Sequence, residues 1–147
     1  RGENLPAGDT AAGDAARASV DAYVTAIRVT SLAIAASLAV AEVYVSADAA
    51  EDQQAALTGV IDAELELEPD DDTFTALSDL RASLVAALSE TASRLPRLRE
   101  IEVNSPTPAL VLAFDLYEDI EREDEILQMN RVLHPGFLAG PLTVLTS

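Results

Sequence analysis

"LPRLREIEVNSPTP", residues 95–108, is where the chain changes its pattern. Before it, apolar residues recur at helical intervals. Pro96 cannot continue a helix. Beyond it, "LREIEV" alternates apolar and charged residues around Leu98, Ile101 and Val103, the period-two signature of a half-buried strand. "NSPTP" then reads as a turn, with Ser105 or Thr107 placed to cap the next helix and Pro108 suited to its first turn. "PALVLAFDLYED" is expected to be that helix, and "REDEILQMN" a second one that buries Ile126, Leu127 and Met129. "HPGF" and "AGP" read as turns and "LTVLT" as a closing strand. Residues 97–147 therefore predict a βααβ unit.

Working back from that boundary, residues 10–96 are rich in Ala, Leu, Asp and Glu. Val20, Val24, Ile27, Ser31, Ile34, Leu38, Ala41 and Val45 recur at alternating steps of four and three. That is the 3.5-residue seam of a coiled coil or bundle. Ser46 looks like an N-cap, with Asp48, Glu51 and Asp52 where the helix dipole favours acids. The second helix is expected to bury Ala50, Leu57, Ile61 and Leu65 and to end at Pro69. One of Asp70, Asp71 or Asp72 caps a third, which carries Leu77, Leu80, Leu84, Leu88 and Leu95 on one face. Short connections imply antiparallel neighbours, so the fold class is mainly α: a helical hairpin or three-helix bundle, with Leu80, Leu84 and Leu88 facing Ile27, Ile34 and Leu38.

At 147 residues the chain is one domain or a domain with a compact appendage. It opens on Arg1, and "RGENLPAGD", residues 1–9, reads as a linker joining it to a longer polypeptide. There is no cysteine, which excludes disulfides, thiolate zinc sites and cysteine nucleophiles. The formal charge is −17, and all nine basic residues are arginine. Such a surface repels nucleic acid and anionic lipid, so neither is an expected partner. Arg94, Arg97 and Arg99 are better placed to complement a helix C-terminus than to track phosphates. "VTSLAIAASLAVA", residues 29–41, is too short for the ~20 residues that cross ~30 Å of hydrocarbon, and reads as a buried helix face.

Nothing in the pattern points to catalysis. His134, the only histidine, has no partners at metal-ligand spacing, and its Pro-Gly neighbours favour a role in its own loop. The acids of "EDIEREDE" and of "DDD" read as helix starts, with Glu118 and Arg122 paired at i,i+4. No phosphate loop, nucleophile elbow or zincin motif is present. Catalytic, cofactor and metal sites are all expected to be absent.

The ending resembles a known family. In "PALVLAFDLYEDIEREDEILQMNRVLHPGFLAGPLTVL" an apolar helix ends in Leu116-Tyr117 and an acidic helix reaches Asn130-Arg131. His134-Pro135-Gly136-Phe137 and a Gly140-to-Leu145 strand follow. This arrangement resembles the C-terminal end of the phage DNA-circularisation protein family, typified by a tail and baseplate protein of Mu-like contractile phages. The resemblance implies a structural protein of a phage tail or baseplate, located in the virion after assembly in the host cytoplasm. Other tail proteins would be its partners, homo-oligomers in the assembled tail being compatible with it. Tyr117, Asn130, Arg131, His134, Pro135, Gly136 and Phe137 would be the structural or docking residues. The same ending is similar to a LysM module, in which Ile101–Val103 and Leu142–Leu145 would be the strands and Asn130 the recurrent asparagine. That likeness implies peptidoglycan binding as the alternative, although "NSPTP" replaces the usual glycine-aspartate-threonine turn. An acidic helical adaptor is the third reading.

Overall fold

The computed structural model describes residues 11–67, 70–132 and 134–146. The expected linker at 1–9 and the helix stop at Pro69 lie outside them. The protein is mainly helical, with a two-stranded antiparallel sheet at its C-terminal end. Helices α1 (Ala11–Ala41), α2 (Ala47–Leu65) and α3 (Asp71–Ser93) come first. Strand β1 (Leu98–Thr107), helices α4 (Ala109–Tyr117) and α5 (Glu123–Asn130) and strand β2 (Leu138–Leu145) follow, with a 3-10 turn at Ile120–Arg122. The chain divides into two compact units, one of Arg1–Glu42 with Ala55–Val85 and one of Val43–Gln54 with Ala86–Ser147.

In the first unit, Ile61, Leu77 and Leu84 are the large buried side chains, with Ala36 and Ala39 from α1. Asp70 caps α3: its carboxylate accepts from the Thr73 backbone N–H at 3.0 Å and from the Thr73 hydroxyl at 2.8 Å. Those bonds hold the Asp70 carboxyl below the usual carboxylate range. Arg81 on α3 reaches Asp62 on α2 with a fork of 2.6 and 3.1 Å, which likewise depresses the Asp62 pKa. Arg28 on α1 lies 3.9 Å from Glu64 on α2.

The seam expected on α1 is corrected here. Val20, Val24, Ile27, Ser31, Ile34, Leu38, Ala41 and Val45 are all exposed. The inward face is instead Thr25, Val29, Leu32, Ala36 and Ala39, which carries the same four-three spacing. Alternation alone cannot choose between two such stripes on a helix with apolar residues on both faces. Ile27, Ile34 and Leu38 therefore do not face the α3 leucines. The run at 29–41 is only partly a buried face: Ile34, Leu38 and Val40 in it meet solvent. Measured over the whole helix, Gly13–Ala41 is long and apolar enough to cross a bilayer by length and composition. The count of uncharged residues understated it, because isolated charges interrupt the apolar stretch.

In the second unit, Ser46 caps α2, its Oγ accepting from the Ala49 N–H at 3.2 Å. The start of α2 is stitched to the chain around Pro96. The Ala47 N–H donates to the Pro96 carbonyl at 2.8 Å and the Leu98 N–H to the Asp48 carboxylate at 2.7 Å. Arg97 forms a bidentate pair with Glu51, and Arg94 pairs with Glu90. Two of the three clustered arginines are thus matched by carboxylates.

β1 and β2 pair antiparallel from Leu98 opposite Leu145 to Val103 opposite Gly140. An irregularity between Val103 and Thr107 then re-registers Thr107 against Leu138. The pairing corrects three expectations. "NSPTP" is not a free turn, because residues through Thr107 belong to β1. Neither Ser105 nor Thr107 caps α4, whose N-cap is Pro108, without a side-chain bond. Gly140-Pro141 is not a turn but part of β2. In a two-stranded sheet each strand has a free edge, which tolerates the missing N–H of Pro141. Gly140 sits at φ 89°, a conformation that a side chain strongly disfavours. Val103, Ala109, Leu112, Ala113, Ile126, Leu138, Leu142 and Val144 close the core between sheet and helices.

Candidate functional site

α4 is nine residues long and apolar on both sides. Ala109, Leu112 and Ala113 point into the core, and Leu110, Val111 and Phe114 point out, Phe114 remaining 56% exposed. The helix ends at Glu118 in the left-handed region, φ 56°, whose N–H donates to the Phe114 carbonyl. Glu118 is therefore outside any helix, and the expected Glu118–Arg122 pair does not form. Arg122 turns instead to Glu125, at 2.7 and 3.3 Å, and its guanidinium carbon lies 3.6 Å above the Tyr117 ring. Asp119 caps the 3-10 turn by accepting from the Glu121 N–H at 2.9 Å.

The Tyr117 hydroxyl is buried without a hydrogen bond of ordinary geometry. Burial pushes its pKa up, and the nearby Glu125 carboxylate adds to the shift. The Tyr117 ring packs under the Arg122 guanidinium at the end of α4.

Asn130 fastens α5 to β2. Its Nδ2 donates to the Ile126 carbonyl at 2.9 Å and to the Thr143 carbonyl at 2.7 Å, and its Oδ1 accepts from the Thr143 N–H at 2.7 Å. The amide thus serves both main-chain groups of Thr143, as a neighbouring strand would. Arg131 follows in the left-handed region, φ 49°, and its N–H closes α5 on the Leu127 carbonyl.

His134, Pro135, Gly136 and Phe137 form the turn into β2. The Gly136 N–H donates to His134 Nδ1 at 3.0 Å, and the Phe137 N–H to the His134 carbonyl at 3.3 Å. A Cβ at Gly136 would stand 3.0 Å from the imidazole, which would have to shift by a few tenths of an ångström to admit it. The turn is tied to the first residue of α4, where the Ala109 N–H donates to the Pro135 carbonyl at 2.8 Å. Phe137 lies with its ring centroid 5.4 Å from that of His134 and is 71% exposed.

The seven residues singled out by sequence do not form one constellation. His134–Phe137 sits at the start of α4 and Tyr117 at its end, roughly 12 Å apart at 1.5 Å per residue. The turn is bonded to the start of α4, and Leu110, Val111 and Phe114 on that helix and Phe137 on the turn are all exposed. Leu110, Val111 and Phe114 were missed. The signal for them was that "ALVLAF" contains more apolar residues than one face of a short helix can bury.

The first unit contains a cleft of about 370 Å³ lined by Asp21, Val24, Arg28, Glu64, Asp70 and Thr73, among others. Among the described residues lining it, the one cation is the Arg28 that faces Glu64, and Asp70 is occupied as a cap. No group of His, Cys, Asp and Glu suited to a metal ion occurs among the described residues. No family model matches the chain, and no curated protein matches it.

Proposed function

We propose that the chain is a structural assembly protein whose C-terminal unit docks other proteins, and that those proteins are components of a contractile phage tail or baseplate. On this reading residues 10–96 act as a helical bundle, residues 97–147 as a LysM-like βααβ module, and the protein has no catalytic role. The observation that carries it is the exposure of Leu110, Val111 and Phe114 on α4 and of Phe137 on the turn bonded to its start, on a chain whose net charge is −17. Two exposed aromatic rings and two aliphatic side chains, held on a helix and a bonded turn, supply the rigid anchors on which protein interfaces depend. The tail assignment of the partners comes from the resemblance of residues 108–145 to the circularisation-protein ending.

The test is capture of purified tail and baseplate proteins by the intact chain, compared with Phe114→Glu and Phe137→Ser. Both positions are exposed, so the variants are expected to fold and to lose the partner. Specific retention of peptidoglycan fragments by the intact chain, with no tail protein bound, would replace this reading by the cell-wall one.

A further inference from the structure

α1 presents two apolar stripes roughly 150° apart round the helix. One, through Val29, Leu32, Ala36 and Ala39, is turned into the first unit. The other runs through Val20, Val24, Ile27, Ser31, Ile34 and Leu38, and every one of these residues is exposed. We propose that this outer stripe is the core of a homo-oligomeric coiled coil, in which α1 of one copy packs against α1 of further copies. The inference does not depend on the tail reading.

Three observations choose a second copy as the occupant. The first is spacing. The stripe keeps strict four-three steps over three heptads, which is what a self-complementary helical seam requires. Val24, Ser31 and Leu38 occupy a layers, and Val20, Ile27 and Ile34 occupy d layers. β-branched residues at d disfavour the two-stranded form, so three or four copies are expected.

The second is area. The large side chains of the stripe and the adjacent Tyr23 are 40–73% exposed. Together they offer roughly 600 Å² of surface per copy, or on the order of 1,200 Å² for two facing copies, the lower end of a specific interface.

The third is charge. α1 carries Arg17 and Arg28 against Asp14 and Asp21, so its own formal charge cancels while the rest of the chain holds all of the −17. Two copies that repel everywhere else can approach along this helix. A bilayer fits less well. It would demand that the inner stripe leave its packing and that Arg28 enter hydrocarbon.

The experiment is the mass of the whole chain by sedimentation equilibrium at about 100 μM in about 0.5 M sodium chloride, where the Debye length is ~4 Å. The expected mass is three or four chains, falling to one in Ile27→Asp/Ile34→Asp with helical circular dichroism unchanged. A control variant, Val60→Asp, replaces an apolar side chain that is 50% exposed on α2 and should leave the mass as it was. A single-chain mass for the unaltered protein would overturn the proposal. So would an equal mass in the Ile27/Ile34 variant. Flotation of a single-chain species with neutral phosphatidylcholine vesicles, abolished by the same two aspartates, would overturn it in favour of a bilayer.

Discussion

α1 and α4 both carry apolar side chains on their inward and outward faces, yet they are held in different ways. α4 is nine residues long, and it buries Ala109, Leu112 and Ala113 in a core closed by Ile126, Leu138, Leu142 and Val144. Its start is bonded to the 134–137 turn, and Arg122 stacks on its last residue, Tyr117. α1 is 31 residues long, and among its described side chains only those of Ala36 and Ala39 are buried. Alanine contributes little area, so the longest helix is the one least committed to its own unit by burial. The difference teaches that hydrophobic content does not fix burial. What fixes it is whether large side chains meet a partner surface, and α1 turns most of its large ones outward.

The largest expected effect tests that contrast directly. Leu84 on α3 is 2% exposed and Leu38 on α1 is 66% exposed. Leu84→Ala should cost about 2–5 kcal/mol of unfolding free energy by urea denaturation. Leu38→Ala in dilute, single-chain protein should stay within about 0.5 kcal/mol of the parent. Equal losses at both sites would break the comparison, because they would mean that the outer stripe of α1 is covered.

In the second unit the sharpest probe is Asn130. Asn130→Ala removes three hydrogen bonds and leaves both main-chain groups of Thr143 without the amide that served them. The expected cost is about 1–3 kcal/mol. Amide exchange should locate it: the Thr143 N–H should lose protection while amides in the middle of α1 do not. Uniform loss across the chain would contradict the separate anchoring of α5 to β2.

Much of this architecture was legible in residue order. Ser46 and Asp70 sit where their hydroxyl and carboxylate meet unpaired helix N–H groups, and that need is local. β1 and β2 were legible as strands because alternation around Ile101 and Val103 and the apolar run at 142–145 leave few other conformations. What was not legible depends on partners distant in sequence. The strand status of Gly140 and Pro141 follows from their places opposite Val103 and Glu102. The inward stripe of α1 is set by neighbours on other helices, and two stripes of equal period compete for it. Glu118 looked like a helical partner of Arg122, but the left-handed turn at 118 removes the helix that the i,i+4 rule assumes. The exposed aromatic rings were only half legible: Phe137 was singled out beside Pro-Gly but is 71% exposed rather than covering the helices, and Phe114 lies in an apolar run that does not mark its outward face.

A smaller effect separates the first unit by pH. The folded-state pKa of Asp62 lies below the ordinary 3.8, chiefly through its hydrogen bonds to Arg81. A depressed carboxylate contributes stability that is present above its unfolded value and is lost as pH falls through the lower folded one. Below about pH 4 the parent should therefore lose stability faster than Asp62→Asn. Relief of self-repulsion acts nearly alike on the parent at −17 and on a variant with one carboxylate fewer, so the readout is the difference between their melting temperatures. Both side chains of the pair are solvent-exposed, which keeps the difference small. Parallel acid limbs would show that the Arg81 fork contributes nothing measurable.

The smallest expected change is at Tyr117, and its smallness is informative. Its hydroxyl is buried near the Leu145 main chain and the Glu125 carboxylate without a well-formed hydrogen bond, so the oxygen carries a desolvation cost that these contacts offset only in part. Tyr117→Phe keeps the ring on which Arg122 stacks and removes that cost. Near pH 7 the variant should be as stable as the parent or more stable by up to about 1 kcal/mol. The two should part at high pH. Because burial raises the Tyr117 pKa above 10.0, the folded state holds its proton where the unfolded chain has released it, and the stability this group contributes drains away as pH rises past 10. Tyr117→Phe lacks that alkaline loss, so its melting temperature should fall less steeply between about pH 9 and 11. A destabilisation of more than about 1 kcal/mol at pH 7 would mean that the hydroxyl is satisfied, making the end of α4 a hydrogen-bonded joint like Asn130 rather than a packed one.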